Sequence, residues 1–109
     1  MKKTLKDIRK AVELVSGIDD LSLKTRKREY IDARMIYYKI ASEITEKSTV
    51  KIGMEVCKDH ATVMHGLKTF ENLSVLPEIQ SIYFKSMTFL SNDFKKMKFS
   101  IDFLNDFFN

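Results

Sequence analysis

Apolar residues recur every three or four positions along most of the chain, the period of an amphipathic α-helix. Leu5, Ile8, Val12 and Val15 share one face and predict a helix over about Thr4–Val15. Gly17 then serves as a terminator, because glycine takes the left-handed conformation that helix ends favour. Ile18–Leu23 reads as a short connector. Ala33, Ile36, Tyr37, Ile40, Ala41 and Ile44 form a second stripe, predicting a helix over about Asp32–Glu46. Ser48 and Asp59 are preferred N-cap residues. They predict a third helix at Thr49–Val56 and a fourth at about Ala61–Leu73, the latter anchored by Val63, Met64, Leu67 and Phe70. Gly53 is placed to let these two cross closely. Pro77 suits the first turn of a last helix, and the sequence from there stays helix-compatible to Asn109.

This order predicts an all-α fold. One proline and three glycines leave little turn chemistry for a β-sandwich. Two short helices joined by a tight turn, the second with small and polar residues (His60, Ala61, Thr62) at its start and an apolar stripe behind them, have the layout of a helix-turn-helix. In that motif the N-terminal residues of the second helix enter the major groove while its later turns dock on the domain.

The residues that carry this pattern are similar to a known family. Ile52-Gly53 followed by Lys58-Asp59-His60-Ala61-Thr62-Val63-Met64-His65 resembles the signature of the C-terminal DNA-binding domain (domain IV) of the bacterial replication initiator DnaA. The resemblance runs from about Asp7 to Leu73. Within it, Ala41-Ser42-Glu43-Ile44-Thr45 looks like the end of the family's long helix, and Thr25-Arg26-Lys27-Arg28 falls on its basic loop. It implies a helix-turn-helix bundle of DnaA domain IV or Trp-repressor type with a C-terminal amphipathic helix, and double-stranded DNA as the partner. There are departures. Val56-Cys57 replaces glycines, Lys58 stands where arginine is usual, and Ala61 often replaces a hydroxyl residue. Asp32-Ala33 replaces a basic-Pro pair. Lys58 keeps the charge and loses the bidentate fork. The Ala61 methyl can touch a thymine methyl and cannot hydrogen-bond.

The implied roles follow from the chemistry. Asp59 can accept from a cytosine amino group, while His60 and Ala61 can meet base edges or thymine methyls. Lys58, Thr62, His65 and Lys68 are candidates for phosphates, contacts that set register without reading sequence. Arg26 falls where the family sends an arginine into the minor groove, with Lys27 and Arg28 beside it. A narrow A·T-rich minor groove attracts arginine. Arg34, Lys47 and Ser48 are further phosphate candidates.

Charge agrees with this division. Residues 1–70 hold 15 Lys/Arg against 10 Asp/Glu, and residues 71–109 hold 4 against 5. The basic excess therefore lies in the half with the helix-turn-helix, as expected of a phosphate-binding face. The only cysteine, Cys57, excludes an intrachain disulfide, and one Cys with two His makes a structural zinc site a poor reading. No phosphate-cradling Gly-x-x-x-x-Gly-Lys-Ser/Thr occurs, so neither ATPase chemistry nor a cofactor is expected. No oxyanion loop or glycine-rich turn suggests an enzyme. No signal peptide or spanning segment is legible, so the expected location is the cytoplasm. A reading module without its ATPase suits a replication or transcription regulator, including one encoded by a phage or mobile element.

The natural division is 1–76 for the DNA-reading part and 77–109 for the tail. Met87, Leu90, Phe94, Met97, Ile101, Leu104 and Phe108 are spaced as a heptad seam, and seven of the eight phenylalanines lie in residues 84–109. This tail either packs back on the domain or pairs with a second copy or a protein partner. Its slight acidity disfavours an anionic membrane.

Overall fold

In the computed structural model, which describes residues 3–91, five helices pack around one core. Helix α1 is Leu5–Ser16. Thr4 and Asp7 close its start reciprocally: the Asp7 N–H donates to Thr4 Oγ1 at 3.1 Å and the Thr4 N–H to Asp7 Oδ2 at 2.9 Å, which satisfies two otherwise orphaned donors. Gly17 ends it at φ 72°. Ile8, Ala11, Val12 and Val15 are its buried face.

Helix α2, Arg28–Ile44, is the centre of the molecule. It is buried continuously from Ala33 to Tyr38 and again at Ile40 and Ala41, because α1, α4 and α5 all pack on it. It starts four residues before the predicted Asp32. No breaker intervenes there, and Arg28 Nε pairs with Asp32 Oδ2 at 3.4 Å across the first turn. It also stops short of the predicted Glu46, where Thr45 turns extended. Ile44, expected to face inward, is 36% exposed, since the last turn runs past the core.

Helix α3 (Thr49–Met54) and helix α4 (His60–Leu73) are capped by Ser48 and Asp59 as their residue types suggest. Their crossing depends on Gly53. A Cβ there would lie 2.4 Å from the Lys58 carbonyl oxygen and 3.0 Å from Val63 Cγ2. Tyr37 Oη donates to the Ile52 carbonyl at 2.8 Å and ties α3 to α2. Gly66 lets α4 lie flat on Tyr38, whose Cδ2 would be 2.5 Å from an added Cβ.

Helix α5, Pro77–Ser91, opens at the proline and packs against α1 and α2, burying Ile79, Ser86 and Leu90. Met87 is half-buried against the same core. The first two positions of the heptad seam, Met87 and Leu90, therefore pack against the fold's own core, Leu90 buried and Met87 half-buried. The reason is that a 3-4 apolar spacing fits any apolar partner, and here α1 and α2 supply it. Phe94, Met97, Ile101, Leu104 and Phe108 lie outside the described residues.

Gly53→Ala should lower stability by about 1–3 kcal/mol, because the new methyl meets backbone that must shift. Urea denaturation measures this, and a loss below about 0.5 kcal/mol would mean that the α3–α4 crossing has room to spare.

Candidate nucleic-acid interface

The turn between α3 and α4 is held by backbone. The Gly53 carbonyl accepts from Val56 N–H at 3.0 Å and from Lys58 N–H at 2.9 Å. Val56 is fully buried beneath it. Cys57, exposed at the tip, sits at φ 58°, a left-handed conformation that costs a side-chain-bearing residue about 1–2 kcal/mol. Asp59 Oδ1 then accepts from Thr62 N–H at 2.8 Å and starts α4. That hydrogen bonding holds the Asp59 carboxyl below the usual carboxylate range. His60 Nδ1 lies 3.4 Å from Thr49 Oγ1, linking the first residues of both helices.

Val63 and Phe70 are buried, with Leu67 packed beside them, while His60, Ala61, Thr62, His65 and Lys68 face solvent. Met64 joins this exposed row at 53% and is not the anchor it was expected to be. The cause is geometric: it lies about 100° round the helix from Val63. Sequence spacing admits it to either face, and only the docking of α4 on Tyr38 decides.

The basic loop reaches the other side of α4. Lys24, Arg26 and Lys27 are exposed, and Arg28 belongs to the first turn of α2, paired with Asp32. The loop is pinned from below by Arg34. Only 5% exposed, its guanidinium donates to the Leu21 carbonyl at 2.7 Å, to the Thr25 carbonyl at 3.0 Å and to the Leu23 carbonyl. Arg34 is thus no surface phosphate ligand. It spends its donors on the loop that carries Arg26. Sequence reasoning reads a lone arginine as a surface charge, and its burial depends on a loop that folds over it.

Between loop and α4 lies a cleft of about 200 Å³. Thr25 and Arg26 line it from the loop, Arg34 and Tyr38 from α2, and Lys58, Thr62, His65 and Gly66 from the α4 side. Tyr38 lies outside the apolar stripe that the spacing predicts for α2, and the structure nonetheless buries it, 2% exposed, beneath α4. Lys47 and Ser48 stand apart from this cleft, at the start of α3. Lys47 is exposed, while the Ser48 hydroxyl accepts from Lys51 N–H at 3.3 Å. Lys47 instead lines a second groove with Lys6, Lys51 and Glu55. No cluster of three metal-binding side chains occurs among the described residues.

Residues 5–69 match the family described as the bacterial DnaA protein helix-turn-helix. The chain belongs to this DnaA helix-turn-helix family. It is similar to the chromosomal replication initiator protein DnaA of Flavobacterium psychrophilum, at 40% identity over 57 residues, which is 51% of this chain and 12% of that protein. The DnaA proteins of Bacteroides thetaiotaomicron and Bacteroides fragilis are 51% and 49% identical over 47 residues, 42% of this chain and 10% of theirs. The chain thus covers only a small part of the length of these relatives. No solved structure gives a significant match. The helices and loop described above fall within the matched span, apart from α5 and the end of α4.

Two outcomes follow from this geometry. Arg34→Gln should cost about 2–3 kcal/mol, since hydrogen bonds to a charged group are lost and carbonyls are left bare, whereas exposed Lys27→Gln should stay within about 0.5 kcal/mol. Equal urea midpoints for the two variants would contradict the pinning role. Cys57→Gly should raise the thermal midpoint, because glycine takes φ > 0 without strain; a net gain of about 0.5–1 kcal/mol is expected after its backbone entropy is counted. A lower midpoint would mean that the turn is not strained.

Proposed function

We propose that this protein binds double-stranded DNA with sequence preference. In this reading the start of α4 enters the major groove and the loop 24–28 follows the adjacent minor groove. One observation carries it: α4 presents His60, Ala61, Met64 and Lys68 to solvent from a helix whose opposite face is buried, with an exposed Arg26 held beside it on a pinned loop. A helix and a basic loop on one side of a small domain suit adjacent grooves of B-DNA.

Roles divide by position. Asp59, His60 and Ala61 read base edges, and Met64 adds an apolar contact for a thymine methyl. Lys58, Thr62, His65 and Lys68 hold phosphates on one flank, and Lys47 with Ser48 does so at the start of α3. Arg26 enters the minor groove, with Lys27 and Arg28 on its rim. Asp59 serves two purposes here, since its carboxylate also caps the helix. The protein acts without catalysis of its own, as a replication or transcription regulator in the bacterial cytoplasm or nucleoid. The relatives' name, chromosomal replication initiator protein, favours replication. In this reading α5 belongs with the DNA-reading unit, because it shares the core of α1 and α2. Among the described residues no helix is long and apolar enough to cross a membrane.

The test is a fluorescence-anisotropy titration at about 150 mM salt, comparing a duplex that carries a DnaA-type box with a shuffled duplex of equal length. Binding to the box should be tighter by about a hundredfold or more. His60→Ala and Ala61→Asp should each cost about 1–3 kcal/mol of that discrimination. Lys58→Ala should weaken both duplexes alike and reduce the salt slope by about one. Full discrimination in Ala61→Asp would rule α4 out as the reading helix. Binding to neither duplex would favour a protein-interaction module instead, for which exposed Phe84 and the phenylalanine-rich end of the chain are the candidates.

A further inference from the structure

A groove of about 680 Å³ opens where the start of α1 meets the link between α2 and α3. Lys3 and Lys6 line it at the start of α1, Lys47 from the link and Lys51 from α3. Lys6, Lys47 and Lys51 are exposed. Two carboxylates stand with them, Glu46 and Glu55. Glu55 is already answered: Arg9 Nη1 lies 3.3 Å from its carboxylate and donates to its carbonyl at 3.1 Å. Folding has therefore gathered four ammonium groups from three segments around a groove whose only other carboxylate is Glu46. A concave surface lined by one sign of charge concentrates partners of the other sign.

Its position relative to α4 points to the partner. The cleft beside the basic loop is lined by Thr62, His65, Gly66 and Thr69, one face of α4. His60 precedes Thr62 by two residues, about 200° round the helix, so it lies on the opposite flank. There its Nδ1 is 3.4 Å from Thr49 Oγ1. The first turn of α3 thus borders α4 on the side away from the loop. Lys47 and Lys51, two residues either side of Thr49, bring the groove up to that border. A helix in the major groove has a DNA strand along each rim, and the first helix of a helix-turn-helix crosses the backbone.

Resting on the DNA-binding reading above, we infer that Lys6 and Lys51 join Lys47 in holding phosphates of the strand that bounds the major groove on the far side from the loop. Lys6 belongs to α1, outside the helix-turn-helix, so the footprint extends past the bases that α4 reads and α1 becomes part of the DNA-facing surface. Lysine ammonium groups on flexible stems act as point charges and can follow a backbone without fixed geometry. These contacts carry no base information. They lengthen the site on one side only.

The test compares the wild type with the double variant Lys6→Gln, Lys51→Gln on three duplexes: the box alone, and the box extended by about one helical turn, roughly ten base pairs, at one end or at the other. One extension should tighten wild-type binding about tenfold or more, and the other should not. The double variant should lose that gain. On the favoured duplex its salt slope should fall by about two, while its preference for the box over a shuffled sequence of equal length stays. Wild-type affinity and slope in the double variant overturn the inference while leaving the DNA reading intact, and leave an acidic protein surface as the groove's occupant. An equal loss on all three duplexes overturns it as well, by placing the contacts within the box. If the wild type binds neither the box nor a shuffled duplex, the DNA reading fails and the inference falls with it.

Discussion

A helix enclosed on nearly all sides must either be apolar all round or find partners for whatever polar atoms it carries. Helix α2 is enclosed in this way at Ala33–Tyr38 and again at Ile40 and Ala41, and its long side chains there seat the elements around it. The Arg34 guanidinium is answered by three loop carbonyls, which fixes the basic loop. The Tyr37 hydroxyl is answered by the Ile52 carbonyl, which fixes α3. Tyr38 presses its ring on Gly66 and seats α4. Three side chains within five residues of one buried helix therefore place the three elements that face outward.

The sequence made some of this legible and hid the rest for physical reasons. Caps are local: the Thr4 box, Gly17, Ser48 and Asp59 each act within a few residues, so residue type alone shows them. The buried stripes of α1 and α4 were visible for the same reason, as was the close crossing at Gly53. What stayed hidden depends on chain segments far apart. Arg34 looks like surface charge until residues 21–25 close over it. Met64 looks like core until α4 takes its roll angle on Tyr38. The seam positions Met87 and Leu90 are apolar at a coiled-coil spacing, but spacing does not name the partner, and here α1 and α2 take them up. Ile44 keeps helical phase with the core, yet the core ends before it.

The turn before α4 shows a different kind of compromise. Cys57 takes a backbone conformation suited to glycine, with a side chain that faces solvent and touches no core. The strain is tolerated because the residues around it are over-determined. Val56 is buried, the Gly53 carbonyl takes two N–H groups, and Asp59 caps the next helix. The strain is concentrated in one residue at the point where the chain must reverse to aim α4, and removing it would leave that aim unchanged.

Arg34 and Tyr38 are four residues apart, roughly 6 Å along the axis of one rigid helix. The loop hangs from the first and α4 rests on the second, so the two outward elements are rooted on one helix at a set separation. The domain behaves as a fixed-gauge calliper. Whatever it closes on must present both contact points at one separation. A target made of two elements joined by a spacer of variable length would be excluded by mechanics alone, before any hydrogen bond to it was formed.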